Sequence, residues 1–391
     1  MAAILVPAHP SLQSTLAAQG LSAAWVCAIF AVPVLLGALK ARLFTRRVVA
    51  LLLLFAGYLS WLLARAVFSP AFGQLNHLAS VRSLLVLTPL ALLMALVASV
   101  EQRSAARAIF ALGLVAVAHY CLLMFVVGSL DDPVGFRSLA SDPEKRNYQS
   151  TSLYFGFVGL GSALLFFFKQ RIALVAGLAA TLGILGLMAT IGARSSLVAL
   201  LATMAVMALL LGLLRRFAVF VVLVVGAIVV ASGLGAIGTM DRLPLIDQLV
   251  VIDRFLTLTE GDDASHRVRL FGAAIEMWWD SPGNFLFGGG VGAFPLYIRE
   301  TDVGWYPHNF FLESVAEGGL PAGLCLLAIA IHFVVKVRAA GLPQAAPEHV
   351  YLLSVAIYAV VAYQFIGGLQ TIWIPFFFLA LYLFSQPGRR G

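Results

Sequence analysis

The chain has 391 residues, 61% of them hydrophobic and 11% charged, with a mean hydropathy of +0.98. A soluble domain carries roughly 25% charged residues, so no soluble core of this length could hide this much apolar surface and lipid must take it. The net charge of +7 comes from small basic clusters between apolar runs, which is how membrane topology distributes them; no nucleic-acid partner is expected.

A spanning helix needs about 20 mostly apolar residues. In chain order the sequence predicts spans at 21–39, 47–67, 83–100, 107–128, 150–168, 172–190, 195–214, 217–238, 309–335, 350–367 and 371–386. A weaker stretch at 2–18, broken by Pro7 and Pro10, is a candidate twelfth. The expected fold is therefore all-α: a polytopic integral membrane helical bundle of 11–12 transmembrane helices, one transmembrane domain over 1–391. The N-terminus shows no charged region ahead of a cleavable apolar stretch, so the first span is expected to do the targeting. Cys27, Cys121 and Cys325 lie far apart in apolar runs, with neither zinc nor disulfide spacing.

Basic residues fall in the connections near 40–47, 101–107, 169–171, 215–216 and 336–338, and in the tail at Arg389 and Arg390. If the spans alternate, these share one side, which the positive-inside rule assigns to the cytoplasm. The opposite side holds the 129–149 loop, the 191–194 turn and one large helical loop at 239–308. Two helices are predicted within that long insert. The first is Asp247 to Thr257; the second runs from about Ser265 to Asp280, with an apolar stripe of Leu270, Phe271, Ala274, Ile275 and Trp278. Ser281-Pro282-Gly283 ends it, and the glycine-rich turn Gly288-Gly289-Gly290-Val291-Gly292 follows.

Three groups could carry chemistry. Arg267 lies three and four residues before Leu270 and Phe271, so it shares the apolar stripe, whereas Arg269 falls on the polar face with Gly272, Glu276 and Asp280. The ordinary reading of Arg269 is a solvated charge; an arginine on an inward stripe needs a partner. Arg194 closes the run Ala189 to Ser196 between two spans, opposite the basic side. Placing an arginine at the bilayer centre costs about 2.5–3.5 kcal/mol, and less at the interface. His308 marks the chain's re-entry, ahead of a short helical run Asn309–Ala316 that Gly318-Gly319 interrupts. A neutral histidine there can accept a hydroxyl proton. His119 and His332 sit within spans and His349 at a cytoplasmic edge. The long insert holds no acidic metal-binding cluster, Asp262-Asp263 being a lone pair, and the sequence shows no P-loop, Gly-x-Ser-x-Gly elbow or His-Glu-x-x-His motif. What remains is arginines and a histidine at one water–lipid boundary, and arginine forks suit diphosphate oxygens.

Three runs carry a family resemblance. They are Gly192-Ala193-Arg194-Ser195; Arg267 to Ala274, continuing through Asp280-Ser281-Pro282 to Phe287–Phe294; and His308-Asn309-Phe310-Phe311-Leu312-Glu313-Ser314 with Glu317-Gly318-Gly319-Leu320. Together they resemble the O-antigen ligase and polymerase superfamily of bacterial envelope glycan enzymes, over roughly 190–325. Asn147-Tyr148 departs from the Asn-Pro that relatives tend to show.

The resemblance implies a multi-pass protein of the bacterial inner membrane with its active site and 239–308 loop facing the periplasm. It implies a glycan donor on undecaprenyl diphosphate and a lipid A–core acceptor, with no cofactor and no metal. Arg194 and Arg267 would hold the diphosphate and His308 would activate or orient the acceptor hydroxyl. Arg269, Glu313 and Gly290, in the same runs, are further candidates. The expected reaction is an inverting glycosyl transfer in lipopolysaccharide biosynthesis. The alternatives are a polymerase joining repeat units on the same carrier and, from another class, a membrane transporter. Against the last stand the lack of internal repeats and of ionisable groups near the midplane.

Overall fold

The computed structural model of the chain describes residues 44–126, 148–168, 171–191, 194–236, 262–299 and 306–386. The expected spans at 2–18 and 21–39, the 129–149 loop and the Asp247 to Thr257 helix lie outside or almost wholly outside them.

The architecture is all-helical, with no strand among the described residues. The helices are α1 (Arg46–Val67), α2 (Leu75–Arg82), α3 (Thr88–Ala98), α4 (Gln102–Val126), α5 (Tyr148–Phe168), α6 (Arg171–Ile191) and α7 (Arg194–Leu210). They continue with α8 (Leu214–Ala236), α9 (Asp262–Trp279), α10 (Pro282–Phe287), α11 (Phe294–Tyr297), α12 (Phe310–Ala339), α13 (Pro347–Ile366) and α14 (Trp373–Phe384). Among the described residues, four helical stretches are long and apolar enough to cross a membrane: Arg46–Val67, Leu75–Leu122, Phe310–Ala339 and Pro347–Ile366. Shorter apolar helices run Ser152–Leu165, Val175–Met188, Ser195–Leu210 and Trp373–Phe384. Outward residues are apolar as well, Leu53, Leu209 and Val222 being 67%, 62% and 69% exposed, and lipid is the solvent that fits them.

α1 starts where Thr45 Oγ1 accepts from Val48 N–H at 3.3 Å and buries Leu51, Phe55, Tyr58 and Leu62, a 3.6-residue stripe. The next span was expected at 83–100, but the helix begins at Leu75. Here the usual pattern is inverted: Asn76, His77 and Ser80 are buried while Leu75 and Leu78 are exposed. A hydropathy window reads those polar residues as loop, whereas in lipid they turn inward. A π turn, Ser83–Leu87, joins α2 to α3, and Thr88 Oγ1 donates to the Ser83 carbonyl at 2.8 Å across it.

Side-chain pairing fixes two ends of the bundle. At one, Gln102 Nε2 donates to the Gln386 carbonyl while Gln102 Oε1 lies 3.1 Å from His349 Nδ1, and Lys336 donates to the Tyr382, Leu383 and Ser385 carbonyls. Lys336 thus caps the C-terminus of α14, where four carbonyls lack helical partners. At the other end, Gln370 Nε2 donates to Asn76 Oδ1, and the end of α1 meets the Gly288–Gly292 turn. The chain therefore turns back at Ser99–Glu101, between α3 and α4. The interior between the ends is close-packed. Gly156 leaves no room for a Cβ, which would sit 2.1 Å from the Tyr358 ring, and Gly161 does the same against Phe110. Small residues let membrane helices approach where apolar transfer gives no drive. Tyr351 and Tyr358 hydroxyls donate to the Phe157 and Ser152 carbonyls at 3.0 and 3.2 Å, stitching α13 to α5.

Candidate functional site

The site is built around the first turns of α12. Asn309 caps this helix, its Oδ1 accepting from Leu312 N–H at 2.9 Å. The residue before the cap, His308, has φ +55°, a left-handed conformation. For a residue with a Cβ that costs roughly 1–2 kcal/mol, and such outliers concentrate where function or packing holds them. The His308 ring, half-buried, lies 4.2 Å centroid to centroid from the Tyr306 ring.

Two buried carboxylates follow one helical turn apart, Glu313 and Glu317, 1% and 0% exposed. Glu313 Oε2 accepts from Leu369 N–H at 3.0 Å in the turn between α13 and α14. Gly368 keeps this approach open, since a Cβ there would lie 2.3 Å from Glu313 Oε2 and 2.8 Å from the Tyr306 ring. Glu317 Oε2 accepts from Gly292 N–H at 2.7 Å and Oε1 from Phe294 N–H at 3.2 Å. Bonds of this charge-assisted kind are about twice as strong as neutral ones.

The glycine turn needs its glycines for close backbone approach. Gly290, at φ +99°, would put a Cβ 2.9 Å from Ser69 Cα; Gly292, at φ +79°, would put one 2.7 Å from His77 Cα. The main chain of the turn rests on α12, with Gly289 N–H donating to Ala316 O at 2.9 Å and Gly290 N–H to Glu317 O at 3.0 Å. From α1 and its following turn, Trp61 Nε1 donates to Gly318 O at 2.6 Å, Arg65 Nη2 to Gly288 O at 3.0 Å and Ser69 Oγ to Val291 O at 2.8 Å. The Tyr58 and Ser314 hydroxyls share a 2.6 Å hydrogen bond. The Gly318-Gly319 interruption expected in the sequence is a break at Gly319, with φ 68° and ψ −165° inside α12.

α9 lies on this base. Leu270, Ala274 and Met277 form a core with Ala293, Phe294 and Ala316, joined by Leu312. The stripe differs from the expected one: Met277 is 2% exposed while Ile275 is 46% exposed. Its centre runs through positions 270, 274 and 277, and 275 lies about 100° further round the helix. Arg267 stands one turn before Leu270 on this inward face and is half-buried, whereas Arg269 is exposed. The helix bearing Arg267 thus packs directly on the helix that follows His308.

Arg194 opens α7; its side chain lies outside the described residues. Two residues on, Ser196 Oγ lies 2.7 Å from Ser152 Oγ, beside the Tyr358 hydrogen bond to Ser152 O. Ser152 thus joins the start of α7 to α13. Among the described residues no three His, Cys, Asp or Glu side chains gather as a metal site.

The sequence reading passed over Trp61, Arg65, Ser69 and the anchoring use of Glu317. An acidic residue in the apolar approach to a span was the available signal for Glu317; the partners on α1 left none.

No curated protein matches the chain. Residues 179–327 match the family model described as O-antigen ligase. That stretch contains Arg194, Arg267, the glycine turn, His308 and Glu317, and over it the chain is similar to the O-antigen ligase family, glycan-transferring enzymes of the ligase and polymerase kind.

Proposed function

We propose that this protein is an O-antigen ligase of the bacterial inner membrane, acting at its periplasmic face through the 239–308 loop and the adjoining ends of the bundle. The donor is a glycan on undecaprenyl diphosphate and the acceptor a lipid A–core saccharide. The observation that carries the reading is the seating of the Arg267 face of α9 on α12, next to a His308 held in a left-handed turn.

Arg267, with Arg194 from the start of α7, holds the diphosphate and offsets the negative charge that grows as the anomeric C–O bond breaks. In a water-poor site such preorganised charge is worth far more than in water. His308 takes the proton of the acceptor hydroxyl as its oxygen attacks the anomeric carbon from the opposite face. The configuration inverts, and the diphosphate leaves on its carrier. No metal takes part in this scheme, since the arginines supply the positive charge.

The test uses purified protein in detergent with undecaprenyl-diphosphate glycan, rough lipopolysaccharide and EDTA. Glycan transferred to lipid A–core, lost with His308→Ala and Arg267→Ala, is the expected result. Longer chains on undecaprenyl diphosphate, without transfer to lipid A–core, would make the protein the polymerase instead.

A further inference from the structure

Glu317 does more than fill an inward position. Its carboxylate is wholly buried and both oxygens are used, one by Gly292 N–H and one by Phe294 N–H. These two amides bracket Ala293, and Ala293 and Phe294 are the base on which Leu270, Ala274 and Met277 of α9 pack. The far end of α9 is tied to the same base. Asn284 Nδ2 donates to Met277 O at 3.1 Å, and Trp278 Nε1 to Phe285 O at 3.0 Å, which joins α9 to α10. A Cβ on Gly289 would meet the Met277 methyl at 2.2 Å, so α9 and the turn are in close contact. The Glu317 side chain therefore shares, with the Gly289 and Gly290 main-chain bonds to α12, in setting the height at which α9 stands over α12.

We propose that Glu317 is a positioning residue that sets the placement of Arg267 relative to His308; this rests on the ligase reading above. The carboxylate reaches neither substrate nor reacting atoms and acts through the backbone of Gly292 and Phe294. A misplacement of about 1 Å in such a pair can cost roughly 100-fold in rate.

Glu317→Gln is the discriminating variant because it keeps shape and volume. One oxygen can still accept an amide, but the new NH2 group faces the other N–H, donor against donor. Turnover per folded molecule should fall roughly 10- to 100-fold while the donor KM stays close to that of the unaltered protein; the opposed buried donors should also lower the thermal midpoint. In a background without cysteines, nitroxide pairs on Ile275 and Phe311, 46% and 44% exposed, report the α9–α12 separation. Glu317→Gln should broaden or shift that distance distribution. Full turnover with an unchanged distribution overturns the proposal; so does a loss of turnover that merely tracks loss of folded protein. If His308→Ala and Arg267→Ala also keep full turnover, the ligase site itself is misplaced. If they lose it and Glu317→Gln does not, only the positioning role fails.

Discussion

Two adjacent glycines in α12 should respond very differently to a single methyl group. Gly319 has φ 68° and ψ −165°, a region that only glycine occupies freely, where a side chain costs about 1–3 kcal/mol. A Cβ there would lie 2.5 Å from Gly288 N and 2.6 Å from Leu286 O. These are backbone atoms of α10 and of the turn that follows it, so they cannot rotate away, and overpacking of this kind adds about 1–3 kcal/mol. Gly319→Ala should therefore cost about 2–6 kcal/mol. Gly318 carries no such backbone strain, and its Cβ would meet the Leu62 Cδ2 methyl at 2.5 Å and the Ala322 Cβ at 2.7 Å. Leu62 can change rotamer and the Ala322 Cβ can give way only with its backbone, so Gly318→Ala should cost about 1–3 kcal/mol. SDS titration in mixed micelles measures both, and Trp61, which donates to Gly318 O, serves as a local fluorescence reporter. Equal costs for the two variants would refute the claim that the Gly319 conformation locks the turn.

The backbone at φ +55° predicts that His308→Gly unfolds at a higher SDS fraction than His308→Ala, by about 1 kcal/mol, while the gel assay shows transfer lost in both. Arg267→Ala should abolish transfer in the same assay and Arg269→Ala should leave most of it; equal losses would show that the inward face has been misjudged. Lys336→Met keeps the apolar length but strips three carbonyls at the end of α14 of their donor. It should cost about 2–4 kcal/mol of stability with turnover per folded molecule unchanged, read by SDS titration alongside the transfer assay.

Hydropathy located most of the described helices to within a few residues because lipid imposes one rule, an apolar run long enough to cross. It failed at Leu75–Ser83, where the inward face carries Asn76, His77 and Ser80 and the outward face carries leucine. A window average cannot tell a polar face turned inward from a loop. Periodicity separated Arg267 from Arg269 correctly in burial, yet chose Ile275 over Met277, because apolar character alone does not say which side of a stripe meets its partner. The glycine turn was legible as a turn. Its purpose was not, since Ser69, His77 and Glu317 lie far from it along the chain.

The three donors that α1 and its turn send to Gly288, Val291 and Gly318 bear on how the enzyme could be taken apart. The stretch 179–327 that matches the family is not a transplantable cassette: grafted onto another bundle, it would arrive with those three carbonyls unmet and no His77 to close against Gly292. A chimera between two such proteins would have to exchange Arg46–Val67 and the Ser69–His77 turn together with the matched stretch, so differences in specificity between relatives should be inherited in that larger unit.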